Sequence, residues 1–363
     1  MNYSNLESEI TTFLESLNIE KYNYKPSLNG NTLAGEKISL GFMCYATKIL
    51  YTINSDKLSD ETFKEELINY FKSFKQTKIG FPENSFIDNN YFKEYKKNYP
   101  TLIIKNTIKY ILGRIPFRQI HPNHKLKEFI RAESKQTLAT LGQINYFYDV
   151  YNQGYPNTKL ELKEFCKNLD WSLPWNAGAQ LSAVATFNAI SGNSEEIRNV
   201  VDDILISLLK NDGAYYEGPD VGTSEKINGA MKVITGMDWL NIKIHKPQNL
   251  IDTCLEHIPS SEGCDIVDVI YVLYKCHQIT DYKSAEIEEY LQNLLPKIME
   301  HYYPEYGGFS YFIHKSQTHY YGVKVTEGLN SPDIHGTTLL VWALSMIFEI
   351  LGNDYPNWSV IKP

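Results

Sequence analysis

The chain has 363 residues, of which 43% are hydrophobic and 13% aromatic, and its 35 basic and 43 acidic residues give a net charge of −8. This composition excludes a disordered or collagen-like chain, and the acidic balance argues against nucleic acid or an anionic membrane surface as the main partner. The N-terminus has no signal-peptide pattern, no stretch approaches about 18 apolar residues, and the five cysteines include no CxxC pair, so we expect a cytoplasmic protein without a membrane span.

Apolar residues recur at steps of three and four residues along most of the chain, which is typical of amphipathic helices. The spacing predicts about a dozen helices, joined by short turns rich in Gly, Pro, Asn and Asp, and no strand ladder. Antiparallel helix pairs of this kind can close into a ring, so we expect one all-α domain over residues 1–363. The predicted helices are 37–53, 60–76, 99–113, 124–149, 159–169, 177–191, one from about 193 to 212, 224–236, 247–258, 265–278, 283–302 and 335–352.

The loop at residues 113–124 carries two arginines, Arg114 and Arg118, and two histidines. The guanidinium fork suits the paired oxygens of a carboxylate or a diphosphate, so both arginines are candidate substrate ligands. The plainer interpretation is solvated loop charge.

Two of the five tryptophans, Trp171 and Trp175, flank Pro174 just before a helix that begins with small residues. Their broad faces can stack on sugar rings or stabilise a carbocation, and Asn176 follows directly. The alternative interpretation is a rigid aromatic plug that closes one end of the fold.

An internal repeat connects two parts of the second half of the chain. Asn211-Asp212-Gly213-Ala214-Tyr215-Tyr216 and Glu305-Tyr306-Gly307-Gly308-Phe309 each follow an amphipathic helix and each lead through a polar loop into another helix. The aromatic residues of these turns, Tyr215, Tyr216 and Phe309, are therefore candidates for contact with a substrate.

Residues 262–269 begin an apolar helix that carries two acids three residues apart. This spacing allows Asp265 and Asp268 to lie on one helical face. A carboxylate within an apolar run is costly unless it has a partner or a function, which favours an acid pair that faces a cavity. The alternative is that Asp265 only caps the helix.

His335 is the best candidate for a general acid or base, because imidazole titrates near neutrality and Asp333 stands two residues earlier to orient the ring. Tyr320 and Tyr321, on the preceding loop, complete a predicted polar cluster. A Tyr/His pair beside Asn176 also suits β-elimination from a uronic-acid sugar. The plainer interpretation is that His335 only bonds backbone groups at the helix entrance.

The Gly-aromatic turns resemble those of the α/α-toroid proteins of the terpenoid cyclase and protein prenyltransferase superfamily. Residues 332–344, which read Pro-Asp-Ile-His-Gly-Thr-Thr-Leu-Leu-Val-Trp-Ala-Leu, resemble the last inner helix of a prenyltransferase β-subunit. The resemblance covers mainly residues 200–352. It implies an α/α toroid whose active site lies in a central cavity, at the end where the inner helices begin.

Two details of that family's chemistry match only in part. Laid over Asp265-Ile266-Val267-Asp268, the proton-donating middle acid of a cyclase DxDD motif falls on Val267. Cys264, Asp265 and His335 resemble the zinc ligands of protein prenyltransferases, although here the cysteine directly precedes the aspartate. Zinc is therefore a possible cofactor, and no other cofactor is evident.

The leading functional expectation is an enzyme that handles a small-molecule isoprenoid, either a divergent terpenoid cyclase or a prenyl-type transferase. One alternative is a carbohydrate-active lyase or glycoside hydrolase of the same fold, acting on an oligosaccharide. The other is a toroid that binds a ligand without reacting with it. The sequence does not define an oligomeric state.

Overall fold

The computed structural model describes residues 3–81, 83–115, 117–146, 155–352 and 355–363, and it gives the backbone but not the side chain of Arg118. These residues form fourteen α-helices and four antiparallel hairpins whose strands are two or three residues long. The expectation of a predominantly helical chain is confirmed.

The helices have the following bounds: α1 Leu6–Leu17, α2 Leu40–Thr52, α3 Glu61–Lys72, α4 Asn89–Lys97, α5 Tyr99–Ile111, α6 Asn123–Gln143, α7 Lys159–Lys167, α8 Pro174–Ile190, α9 Ser194–Leu208, α10 Thr223–Leu240, α11 Pro247–Leu255, α12 Gly263–His277, α13 Ser284–Met299 and α14 Ile334–Leu351. The hairpins pair β1 Asn18–Glu20 with β2 Asn23–Tyr24, β3 Lys75–Gln76 with β4 Ser85–Phe86, β5 Tyr302–Tyr303 with β6 Gly308–Phe309, and β7 His319–Tyr320 with β8 Val323–Lys324.

Two helices are missing from the sequence prediction, α1 and α4. Helix α4 has nine residues and buries only Tyr91 and Tyr95, so its periodicity is too weak to read. The hairpins also escaped prediction, because two-residue strands are too short to show alternation. The predicted helix at 124–149 ends at Gln143 in the structure, and its residues 147–149 lie outside the described part of the chain.

Six helices form a closed cycle of contacts. Helix α2 contacts α6, α6 contacts α8, α8 contacts α10, α10 contacts α12, α12 contacts α14, and α14 contacts α2. These cycle helices are buried on most sides; in α2, for example, every residue except Tyr51 is buried. A helix that is buried around its circumference lies in the interior of a protein, and the cycle therefore forms the core.

Each cycle helix follows, along the chain, a helix that buries only one face. In α9 the buried residues are Ile197, Val200, Val201, Leu205 and Leu208, which repeat at helical spacing and leave the other face exposed. In chain order α1 precedes α2, α3 precedes α6, α7 precedes α8, α9 precedes α10, α11 precedes α12 and α13 precedes α14. The last three of these pairs are in contact. Helices α4 and α5 are an insertion between α3 and α6.

The first turns of neighbouring cycle helices lie side by side. The N–H of Trp175 at the start of α8 donates to Glu225 Oε1 of α10, 3.0 Å away, and Ser224 of α10 donates to Asp265 of α12, 2.6 Å away. The ring of His335 in α14 stacks on that of Tyr45 in α2. We refer to this side as the N-terminal end of the cycle.

The repeated glycine turns share one backbone feature. Gly213 and Gly307 have φ angles of +82° and +75°, a region that side chains rarely adopt. A Cβ at Gly307 would also lie 2.1 Å from the Glu9 carbonyl oxygen. Each glycine therefore allows the chain to reverse after one helix and to enter the next.

Among the described residues, one helix has the length and hydropathy of a candidate membrane span, although the sequence analysis expected no stretch of about 18 apolar residues. This helix is α14, with a mean hydropathy of 1.6 over 18 residues, of which 72% are buried inside the structure. It contacts α2, α12 and α13, so its apolar surface is covered by other helices of the core.

Candidate active site

Five ionisable side chains from five cycle helices interact inside the cycle. They are Lys48 of α2, Lys135 of α6, Lys232 of α10, Asp268 of α12 and His335 of α14, and we call them the interior cluster. Helices α2 and α10 are not neighbours in the cycle, yet repulsion from Lys232 lowers the pKa of Lys48. The same ammonium acts on Lys135 and His335. These groups therefore lie within electrostatic range of one another inside the cycle, and Lys232 and Asp268 are 3.9 Å apart.

Several side chains of the cycle helices are partly exposed on the side that faces the interior cluster. Lys135, Lys232, Cys264 and His335 keep part of their surface accessible, although the residues around them on the same helices are mostly buried. On a helix that is surrounded by other helices, an accessible side chain lines an internal cavity. The cluster therefore borders accessible space inside the cycle.

Burial and mutual repulsion disfavour the charged forms of the interior lysines. Burial and then Lys232 lower the pKa of Lys48 to about 8, although Cys44 opposes the shift. Burial, followed by repulsion from Lys48 and Lys232, lowers the pKa of Lys135 well below its ordinary value. A bound anion would relieve this repulsion, because it favours the charged form of each amine.

Asp268 is a buried carboxylate without a hydrogen-bond partner among the described residues. Its Oδ1 lies 3.9 Å from Nζ of Lys232, and its side chain is 1% exposed. Burial raises the pKa of Asp268 to about 6, with Lys232 opposing the shift and Asp265 adding to it. Asp268 can therefore exchange a proton near neutral pH, as a general acid or base must.

His335 lies between two tyrosine rings. Its ring is 4.7 Å from that of Tyr45, at an interplanar angle of 9°, and 5.1 Å from that of Tyr311. Burial, reinforced by Lys232 and Lys48, lowers the pKa of His335 to about 3. The imidazole is therefore neutral at physiological pH, and its ring nitrogens are available to accept or donate a hydrogen bond.

Asp333 positions the start of α14 and the loops beside it. Its carboxylate accepts hydrogen bonds from the N–H groups of Gly336 and Tyr311, each at 2.8 Å, and of Gln317 at 3.1 Å. Burial raises the pKa of Asp333 to about 6 in spite of these bonds. These three bonds go to backbone groups, so Asp333 holds the first turn of α14, which carries His335, against the neighbouring loops.

The predicted pair of acids on α12 divides in the structure. Asp265 accepts hydrogen bonds from Ser224 Oγ and from the Ser260 N–H, both at 2.6 Å, and its Oδ2 lies 3.6 Å from His257 Nε2. Burial acts to raise the pKa of Asp265, but these hydrogen bonds and His257 outweigh it and the pKa is lowered. Asp265 therefore links helix starts, while Asp268 faces the interior.

The possible zinc ligands do not form a site. No group of three or more His, Cys, Asp or Glu side chains in the described ranges is arranged to hold a metal ion. The Asp265 carboxylate is already engaged by Ser224 and Ser260, so it does not turn toward Cys264 and His335 to complete a zinc site. The three residues do not fit zinc, and we derive no step through it.

Four aromatic candidates lie in the core between helices and not in the interior cluster. The Trp171 indole donates to the Cys166 carbonyl at 3.2 Å, the Tyr215 hydroxyl lies 3.2 Å from His245 Nδ1, the Tyr216 hydroxyl donates to Asp212 at 2.8 Å, and Phe309 packs on Tyr302. All four are buried. The sequence signalled aromatic residues near turns but not which side of the helix pair they cover.

Trp175 and Asn176 are exposed at the N-terminal end of the cycle, where Trp175 keeps 42% of its surface accessible. Tyr320 is buried nearby and donates a hydrogen bond of 2.9 Å to Glu133 Oε1. Tyr321 is half-buried, and its carbonyl accepts a hydrogen bond from the Tyr91 hydroxyl.

Of the two arginines in the loop before α6, Arg114 is exposed and outside the cluster. The side chain of Arg118 lies outside the described part of the chain, so its predicted role as a substrate ligand is not examined by the structure.

The sequence analysis missed the three interior lysines and Glu133. A signal was present, since Lys48 and Lys232 each interrupt an apolar helical run as Asp268 does. A comparison of the chain with models of known protein families, with curated proteins and with solved structures finds no match. The site is therefore interpreted from its own geometry.

Proposed function

We propose that the chain is an enzyme of α/α-toroid architecture that acts on an isoprenoid diphosphate bound in the space inside the helix cycle. The observation that carries the proposal is the convergence of Lys48, Lys135 and Lys232, from three different helices, inside a protein whose net charge is −8. Three mutually repelling cations favour a ligand with two or more negative charges, which a diphosphate has.

The toroid is supported by two features of the helices. Their contacts run in a closed cycle from α2 through α6, α8, α10 and α12 to α14 and back to α2, and each cycle helix follows an outer helix that is buried on one face. This arrangement of six inner and six outer helices is what a ring of antiparallel helix pairs requires.

Aromatic rings beside the lysines suit the hydrocarbon part of such a substrate. Tyr45 packs against His335 and lies edge-on to Tyr320, with 6.3 Å between the two tyrosine ring centres, while Tyr311 covers the other side of the imidazole. The faces of aromatic rings also attract carbocations. An anion-binding region next to an aromatic wall matches the two parts of an isoprenoid diphosphate.

The residues support a simple reaction. When the bond between carbon and the diphosphate oxygen breaks, its electron pair stays on that oxygen, and the ammonium groups of Lys48, Lys135 and Lys232 stabilise the negative charge. The remaining allylic cation either loses a proton, as in a cyclase, or is attacked by an acceptor that loses one, as in a transferase. Asp268, whose pKa is about 6, accepts that proton.

Calorimetric titration with geranyl diphosphate and with inorganic pyrophosphate tests the proposal. We expect both to bind the wild type, and Lys48→Met or Lys232→Met to weaken each by roughly tenfold or more. The matched control is Lys243→Met, because Lys243 is exposed and lies outside the cluster. Absence of binding to the wild type, or equal affinity in all variants, would refute the proposal.

A second candidate function is supported by Trp175. This tryptophan and Asn176 are exposed at the N-terminal end of the cycle, where a sugar ring can stack, and neutral His335 can act as a base beside cations that neutralise a uronate carboxylate. Incubation with uronic-acid oligosaccharides distinguishes the two, since β-elimination produces an unsaturated sugar that absorbs in the ultraviolet. A protein that binds pyrophosphate but turns over neither class of substrate would favour the non-catalytic toroid.

A further inference from the structure

The insertion between α3 and α6 carries a hydrophobic stripe on its outer side. Helix α5 has no buried residue, and Ile104, Ile108 and Ile111, which follow one another at steps of four and three residues, are 63%, 53% and 74% exposed. Leu112 and Phe117 extend the same exposed surface beyond the end of the helix. At this spacing the three isoleucines lie on one face.

Helix α5 is apolar on two sides, since half-buried Tyr99 and Leu102 pack against the core while the isoleucine stripe faces outward. Its half-buried Asn106 turns toward the protein, where the side-chain amide donates to the carbonyls of Gln119 and Ile120 at 3.2 and 3.1 Å. The stripe of isoleucines faces solvent instead. An outward apolar stripe on a helix whose other side is already anchored to the protein indicates a surface that contacts something outside the protein.

Charge identifies the kind of partner. Residues 89–114, which comprise α4, α5 and the following turn, contain six basic residues and one acidic residue, a net charge of +5 in a protein whose total is −8. Lys105 and Lys109 are exposed beside the isoleucine stripe, and neither forms an ion pair with another described residue. The partner should therefore combine negative charge with an apolar layer.

We infer that the α4–α5 segment, residues 89–114, attaches the protein to an anionic lipid surface, with the isoleucines inserted among the acyl chains and the lysines beside the headgroups. A helix with one apolar face and flanking lysines is suited to lie in such an interface. A second copy of the chain fits less well, because symmetric pairing of this surface would bring two charges of +5 together. The net charge of −8 for the whole chain argued against an anionic membrane, but the positive charge of residues 89–114 decides how this surface interacts.

The segment lies at the N-terminal end of the cycle. Asp88, which caps α4, also accepts hydrogen bonds from the N–H groups of Ser39 and Leu40 at the start of α2. Attachment through α5 would thus hold the N-terminal end of the cycle, which carries His335, close to the lipid. Entry of an isoprenoid substrate from the lipid into this end of the cycle rests on the proposed function, whereas the attachment itself does not.

Cosedimentation with vesicles tests the inference. We expect the wild-type protein to sediment with vesicles of phosphatidylserine and phosphatidylcholine, less with phosphatidylcholine alone, and less as salt is added. The variant that carries Ile104→Ser, Ile108→Ser and Ile111→Ser should bind roughly tenfold more weakly or not at all. These side chains are exposed, so the variant should keep the circular dichroism spectrum and thermal midpoint of the wild type.

Two matched controls complete the design. The variant that carries Leu160→Ser, Ile206→Ser and Ile258→Ser removes three other exposed aliphatic side chains and should bind like the wild type. Lys105→Glu with Lys109→Glu should weaken binding, whereas Lys163→Glu with Lys167→Glu, an exposed pair with the same spacing on α7, should not.

A wild-type protein that stays in the supernatant, or a triple α5 variant that still sediments, would overturn the inference. A wild-type dimer that the triple α5 variant abolishes would also overturn it, in favour of a protein interface. Pyrophosphate binding is measured separately, so a failure of lipid attachment leaves the proposed function standing, and the reverse also holds.

Discussion

Nζ of Lys232 on α10 lies 3.9 Å from Oδ1 of Asp268 on α12, and this pair joins opposite charges within the interior cluster. The Asp268 carboxylate has no hydrogen-bond partner among the described residues, so the lysine only partly offsets its burial. Burying a carboxylate in this way costs stability, and the cost is greatest when the carboxylate is charged.

Replacing Asp268 by Asn should therefore stabilise the protein at neutral pH while it abolishes proton transfer. The pKa of Asp268 is raised from 3.8 to about 6, so the folded state loses stability as pH rises through that interval, by roughly 2 to 3 kcal/mol. We expect Asp268→Asn to unfold at higher urea concentration than the wild type at pH 7.5, but not at pH 3.5. A variant that is less stable at pH 7.5 would contradict this account.

Glu133 should make stability fall at higher pH. It is fully buried, and burial followed by repulsion from Asp88 raises its pKa to about 8, although Tyr320 donates to it. Because the folded-state pKa is above the ordinary value of 4.5, ionisation between pH 4.5 and 8 destabilises the folded state. Glu133→Gln keeps an acceptor for Tyr320, so urea denaturation at pH 6 and pH 9 should show less loss of stability than in the wild type. The exposed control Glu164→Gln should follow the wild type at both pH values.

Removal of the Asp333 carboxylate should destabilise the protein strongly. Asp333→Ala leaves two buried N–H groups and one partly buried N–H group without their acceptor, and we expect a loss of about 3 kcal/mol in the free energy of unfolding. Asp60 caps α3 at an exposed position with two hydrogen bonds, so Asp60→Ala should cost about 1 kcal/mol. Equal losses in the two variants, measured by urea denaturation, would show that Asp333 is only an ordinary cap.

The affinity for pyrophosphate should depend on the protonation of Lys48. Its pKa is lowered to about 8, so the amine is charged below that pH and neutral above it. We expect calorimetric affinity to decrease as pH rises from 7 to 9, and binding near pH 8 to take up protons from the buffer. An affinity that is constant over this range would exclude Lys48 as a ligand.

The two tryptophans of residues 171–175 should behave differently. Trp171 is buried and bonded to Cys166, so Trp171→Ala should cost about 3 to 5 kcal/mol in stability. Trp175 is 42% exposed, and Trp175→Ala should leave the urea midpoint nearly unchanged. If the lyase function is correct, only Trp175→Ala weakens oligosaccharide binding without lowering stability.

Most of the helices could be predicted from the sequence, but only part of the candidate site could. Periodicity predicted most of the cycle helices, and Asp268 stood out because it interrupts an apolar run. The lysines did not stand out in the same way, since lysine is abundant on surfaces and a long side chain can reach water from a buried backbone. Lys48 and Lys232 come close enough to repel each other only because of the order in which the six helices are arranged around the cycle. No local sequence pattern encodes that order.

Asp265 shows a second limit. Its spacing from Asp268 predicted one shared face, and three residues do leave two side chains only about 60° apart around the helix axis. Even so, Asp265 reaches Ser224 whereas Asp268 lies 3.9 Å from Lys232, because each acid takes the partner that the neighbouring helix presents. The zinc hypothesis failed for a different reason. Adjacent residues such as Cys264 and Asp265 are about 100° apart around a helix axis, and the described residues include no group of three metal-binding side chains.

Closure of the cycle between α2 and α14 affects how the protein is made. These neighbours in space are the first and the last of the six cycle helices in sequence, so a growing chain completes five of them before the sixth can be added. Until then the side of α2 that packs on α14 is exposed, and cooperative folding requires synthesis of the final helix. Translation that stops before α14 should consequently yield an aggregation-prone product rather than a smaller working domain.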